Sequence, residues 1–239
     1  MKSSIKNRHL IMIIVVILIG AGFFLQRHFI DDRNVKQISK PLPVGYKAEP
    51  DSMGWRPLFN GQNLTGWKIT NFGPQGPIHV DKKEQAIILG LGDGCTGITW
   101  QQEFPKVNYE IELEAKRVRG TDFFCGLTFP VQQEHCTLIV GGWGGTVVGI
   151  SNIDGRDASE NFTSQMIAFE KQRWYHIRVK VTNQLVRAWI DNKQVAKVQV
   201  TKHHFSIRPE VRLSRPLGIC SWMTAVALKN IQFRKLNSQ

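Results

Sequence analysis

Residues 173–200 read RWYHIRVKVTNQLVRAWIDNKQVAKVQV. Trp174, His176, Arg178, Lys180 and Thr182 alternate with Tyr175, Ile177, Val179 and Val181. A period of two, polar on one side and apolar on the other, marks a half-buried strand. Asn183–Gln184 breaks the run and leads into a second strand, and Asp191, Asn192 and Lys193 turn that one into a third.

The same period appears elsewhere in the chain. In VNYEIELEAKRV, Val107, Tyr109, Ile111, Leu113 and Ala115 point one way, and Asn108, Glu110, Glu112, Glu114 and Lys116 the other. TDFFCGLTFP and HCTLIVGG read as two strands joined by a short turn. AVALKNIQFRKL closes the body, with Val226, Leu228, Asn230, Gln232 and Arg234 alternating against Ala225, Ala227, Lys229, Ile231 and Phe233. No helical period persists over ten residues after residue 26. Many short strands with frequent turn signals predict a sandwich or barrel, and the absence of a fixed repeat disfavours propellers and solenoids. The half-polar strands predict an all-β fold of two antiparallel sheets, each with one buried and one wet face.

The 239 residues suit one sandwich domain with an arm. Residues 1–26 hold the clearest local signal. Lys2, Lys6, Arg8 and His9 precede sixteen uncharged residues, Leu10 to Leu25, and Arg27 follows soon after. A basic flank before a short apolar core describes a signal anchor or a cleaved signal peptide. Either places the body outside the cytoplasm, tethered to the membrane through residues 10–25 or secreted. Residues 27–54, with Pro41, Pro43, Gly45 and Pro50, read as a linker, and residues 55–237 as the sandwich.

The net charge of +12 is spread along the chain with no run of five like charges, which argues against a nucleic-acid tail. Cys95, Cys125, Cys136 and Cys220 allow three full disulfide connectivities or four buried thiols. No CxxC pair is present, so no zinc site is expected, and the residues name no cofactor.

Two sets of residues carry candidate chemistry. Glu110, Glu112 and Glu114 share a strand face, with alternate side chains ~6.7 Å apart, within the range of paired glycosidase carboxylates. The alternative is a solvated strand face; of the three, Glu112 is central. The second set surrounds GGWGG. Gly141, Gly142, Gly144 and Gly145 bracket Trp143, and Asp154, Arg156 and Asn161 follow. A flat ring with a polar rim suits the C–H faces and hydroxyl edges of a sugar. Trp143 as a plug on the core is the competing reading. Asp122, Phe124, Gly126 and Thr128 read as one face of their strand and His135, Thr137 and Ile139 as one face of the next, so Asp122 and His135 can lie near one sheet surface.

WRPLFNGQNLTGWK, NYEIELEAKR, RWYHIRVKVTNQLVRAWIDNKQV and LKNIQFRKL occur here in the order found in the 3-keto-disaccharide hydrolase-like domains, and residues 55–236 resemble that family. The resemblance implies a concanavalin A-like jelly roll and a bacterial, often exported, sugar-directed protein. It implies acid/base chemistry on a keto sugar, for which His135 or Glu112 is the candidate base and Asp122 the candidate acid or metal ligand. The sequence departs from the family between His135 and Gly145, where no carboxylate stands. A lectin-like site built on Trp143, Asp154, Arg156 and Asn161, or a surface assembly module, is the alternative.

Overall fold

The computed structural model describes residues 48–237. The apolar segment 10–25 and the linker up to residue 47 lie outside the described residues. The strands in chain order are β1 (Arg56–Pro57), β2 (Trp67–Ile69), β3 (Ile78–Asp81), β4 (Ala86–Leu89) and β5 (Cys95–Trp100). β6 (Tyr109–Gly120), β7 (Cys125–Val131), β8 (Glu134–Gly142), β9 (Val147–Ser151) and β10 (Gln165–Met166) follow. β11 (Trp174–Val181), β12 (Leu185–Ile190), β13 (Lys193–Gln199), β14 (Gly218–Trp222) and β15 (Thr224–Lys235) complete the body.

They form two antiparallel sheets. Sheet I runs β13-β12-β11-β6-β15-β4-β3, with β1 also on β15; sheet II runs β10-β9-β8-β7-β14-β5-β2. Between them lies one apolar core. Ile111, Leu113, Val179 and Leu228 face it from sheet I, and Leu127, Phe129, Leu138, Ile150 and Ile219 from sheet II. Trp67 is wholly buried, donates its indole N–H to the Leu58 carbonyl at 2.7 Å and meets Trp100 edge-on. Tyr109 ties the sheets by donating to the Pro130 carbonyl at 2.6 Å.

The three-strand run at 173–200 is as its pattern demands: β11 reads half-buried and buried in strict alternation. Three expectations need correction. In β15 the alternation breaks at Asn230, whose φ of 51° accompanies a shift in register against β6. Val226 and Leu228 face the core before this bulge, Ile231 and Phe233 after it. Phe124 does not share a face with Gly126; it precedes β7 and sits in the core against Phe169 and Tyr175.

The third correction positions the site. Sheet I has a wet outer face, but sheet II is buried on both sides, so that β5, β7 and β9 are buried at every position. The second face is covered by the chain between β13 and β14, which includes the 3-10 turn Pro209–Ser214. Thr99 donates its hydroxyl to the Leu213 carbonyl at 2.9 Å, and Asn152 and Ser206 exchange backbone bonds. Small residues on this face leave room for the cover. Thr128 and Thr137 satisfy each other's hydroxyls at 2.8 Å, as do Thr70 and Thr99 at 2.7 Å. All four cysteines are buried free thiols.

Candidate saccharide cleft

The cover stops short of the GGWGG end of sheet II, leaving a cleft of about 210 Å3. Thr137, Ile139 and Ser151 of β8 and β9 line its sheet side; Trp143, Trp222, Asp122 and the Arg208–Glu210 segment complete it.

The glycine loop is built around a buried cation. Arg117, at the far end of β6 and only 5% exposed, sends Nη2 to the carbonyls of Asp122 (3.2 Å), Gly141 (3.3 Å) and Gly145 (3.0 Å). Its guanidinium lies 5.0 Å from the Phe124 ring centroid. Burial pulls its pKa down and the Asp122 charge pushes the other way. Gly141 and Gly145 have φ of 75° and 112°. A β-carbon at Gly141 would stand 2.5 Å from Arg117 Nη2, and one at Gly145 2.7 Å from the Thr121 carbonyl oxygen. The positive φ favours glycine at both places, and at Gly145 the Thr121 backbone leaves no room for a side chain, whereas at Gly141 the Arg117 guanidinium would have to move off its carbonyls. The loop lifts Trp143, itself at φ 48°, to 43% exposure on the wall of the cleft. Asp122 braces the loop from below: Oδ2 accepts from the Gly144 amide at 3.2 Å and Oδ1 from the Phe123 amide at 2.7 Å.

Across the cleft, Arg208 donates Nη1 to Asp157 Oδ2 at 2.7 Å and Nη2 to Glu210 Oε1 at 2.9 Å. The hydrogen bond from Arg208 holds the Glu210 carboxyl below its ordinary range, and its two carboxylate partners hold Arg208 firmly charged. The cleft thus combines an exposed indole, two carboxylates and one fixed cation.

Of the residues the sequence singled out, Trp143 and Asp122 come together here. His135 lies on the same sheet face but eight residues from Trp143 along the chain, ~26 Å at a strand's rise. Burial, with the charges of Arg215 and Lys106, lowers its pKa. Glu112 is on sheet I, on the far side of the core, held by Gln232 at 2.8 Å and His176 at 3.2 Å. Asp154 is exposed and bonded to His203 Nδ1 at 2.6 Å, and Arg156 is exposed without lining the cleft. Asn161 is 8% exposed; its amide donates to the carbonyls of Ile150, Arg156 and Asp157, so it fastens the loop rather than facing a ligand. Arg117, Arg208, Glu210 and Trp222 carried no signal in the sequence, because the stretches holding Arg208 and Glu210 have no periodicity and reach the cleft only through the fold.

Residues 54–234 match the 3-keto-alpha-glucoside-1,2-lyase-like domain. The chain belongs to that family. It is a carbohydrate-active domain of glycoside hydrolase/lyase-like type on a concanavalin A-like sandwich. Among solved structures, the Crh5 transglycosylase in complex with NAG is similar with a TM-score of 0.54 at 13% identity, over 80% of this chain and 87% of that one. A putative glycosyl hydrolase from Parabacteroides distasonis ATCC 8503 is similar with a TM-score of 0.50 at 16% identity, over 77% of this chain and 95% of that one. A Bacillus subtilis protein of unknown function and galectin-like fold gives 0.51 at 8% identity, over 72% and 90%. At these identities the likeness is one of fold. No curated protein matches the chain. Within this lyase-like family member, the order of sheets and the cleft on sheet II are the features on which a function must be built.

Proposed function

We propose that the cleft beside Trp143 binds a saccharide and that the domain cleaves a 3-keto-glycosidic bond by proton abstraction. Family membership supports the chemistry, and the observation that carries the site is the meeting of Trp143, Asp122 and Arg208 in one cleft. The sugar's C–H face stacks on the indole. A keto group at C3 acidifies the proton on C2. Asp122 takes that proton, the C–H electron pair forms an enolate, and Arg208 stabilises its oxygen. The enolate re-forms the ketone and makes a C1–C2 double bond, expelling the aglycone oxygen from C1; protonated Asp122 returns the proton to it. Addition of water across the double bond turns the elimination into net hydrolysis.

A lectin-like role has two observations in its favour: Asp122 already accepts two loop amides, and no histidine among the described residues lines the cleft. The experiment that separates the two incubates the protein with 3-keto-glycosides and follows retention and product together. For a base, Asp122→Asn lowers turnover by about 10²–10⁴-fold while retention persists. Retention without product in the unmodified protein removes the catalytic reading. Product lost in Glu112→Gln or His135→Ala but kept in Asp122→Asn moves the chemistry to another part of the molecule.

We also propose that the protein acts outside the cytoplasm, from the basic flank and apolar segment of residues 1–26. Protease accessibility of the domain on intact cells tests this, and a protected domain contradicts it.

A further inference from the structure

The outer face of sheet I carries a row of charge that its own residues do not neutralise. Arg234, Glu110, Lys180, Arg187 and Lys197 stand opposite one another across β15, β6, β11, β12 and β13. The row thus holds four cations and one carboxylate. Glu110 is 2% exposed and bound to Arg234 Nε at 2.7 Å, with Lys180 and Arg178 each at 3.8 Å. Arg187 and Lys197 have no ion pair among the described residues, and Arg187 Nε is buried without a hydrogen-bond partner. Like charges directly opposite each other weaken a sheet, and an unpaired buried donor adds to the cost. The remaining carboxylates of this face are already engaged, Glu112 by His176 and Gln232, Glu114 by Lys229 and Asn230. The row therefore keeps a positive charge that the described residues do not balance.

Two features point to the kind of anion. Trp189, next to the row and under Arg178 at 4.3 Å, is an amphipathic ring of the type that settles at a membrane interface. The chain also enters the domain at this row: β1 pairs with β15 and Trp55 lies 4.6 Å from the Arg234 guanidinium. The sequence before it contains the uncharged run Leu10–Leu25, separated from Trp55 by 29 residues, 26–54. We propose that the Lys180–Arg187–Lys197 row is a docking surface for the anionic headgroups of a lipid bilayer. Because the saccharide cleft opens on sheet II, a domain lying on sheet I presents that cleft away from the membrane. This inference does not depend on the sugar chemistry proposed above.

The test uses residues 48–239, which contain both sheets and the whole core and leave out the apolar segment, a second source of binding. Vesicles of phosphatidylcholine are compared with vesicles in which about one-third is phosphatidylglycerol. At ~0.1 M salt the protein sediments with the anionic vesicles only, and ~1 M salt releases it. K180Q/R187Q/K197Q weakens binding about 100-fold, whereas K68Q/K82Q/K171Q, equal in charge but elsewhere on the surface, changes it far less. If the triple variant does not fold, the exposed single change Lys197→Glu serves, with a loss of about tenfold or more expected from the reversed charge. Equal binding to neutral vesicles, equal losses in the two triple variants, or binding to dextran sulfate without binding to vesicles each overturns the proposal.

Discussion

Arg117 holds three loop carbonyls with one nitrogen, and that arrangement answers why an aromatic ring stands among four glycines. The neighbouring glycines differ in what surrounds them, so they differ in what a methyl group costs. Gly144 has open space and a φ of 86°, so Gly144→Ala loses only about 1 kcal/mol from the left-handed backbone. Gly145→Ala adds a clash with backbone oxygen and loses about 2–4 kcal/mol, read from urea melts. Equal losses at the two positions contradict this account of the loop. Trp143 stood out in the sequence because four glycines bracket it, but whether it faced a ligand or plugged the core was settled only by its 43% exposure in the fold. Arg208, which faces it, was not: nothing between residues 203 and 217 repeats, and its partner Asp157 is fifty-one residues away.

At the scale of elements, β6 shows a pattern that the sequence reveals and partners that it does not. The alternation of Glu110, Glu112 and Glu114 was plain, as was the strand, but their partners come from β11 and β15 and appear only once the sheet is assembled. Burial alone would raise the Glu112 pKa; the hydrogen bonds of His176 and Gln232 and the charges of His176 and Arg178 outweigh it, and the net shift is downward. The hydrogen bond to Glu112 raises His176. The imidazolium's contribution is complete below the ordinary histidine value of 6.5 and fades as pH rises through its raised folded value. The carboxylate's is complete above the ordinary 4.5 and fades as pH falls through its lowered folded value. Glu112→Gln therefore destabilises most near pH 5.5 and by less near pH 9, with a difference under about 1 kcal/mol for so exposed a histidine. Melts at the two pH values check it, and a larger loss at the alkaline value contradicts the pairing. The bulge at Asn230 belongs to this scale too: a single left-handed residue reverses the inward parity of half a strand, and alternation alone does not reveal where it falls.

For the whole molecule, two antiparallel sheets around one core follow from period-two patterning, turn residues and the absence of helical period. The order of strands in those sheets does not, since β6 lies between β11 and β15 through pairings of residues that stand far apart in the chain, such as Trp174 with Lys116 and Thr224 with Gly120. The cover over sheet II was equally hidden: its underlying positions are Thr, Gly and Ser, which look like a wet face and instead pair with one another under a second layer. That cover ends where Trp143 rises, and it leaves the cleft open there. A crystal structure with a bound 3-keto-glycoside tests it most directly. The sugar ring is expected against the Trp143 indole, with C2 facing Asp122 and the keto oxygen toward Arg208. A sugar bound on sheet I beside Glu112 and His176, or at the His135 end of β8, would contradict it.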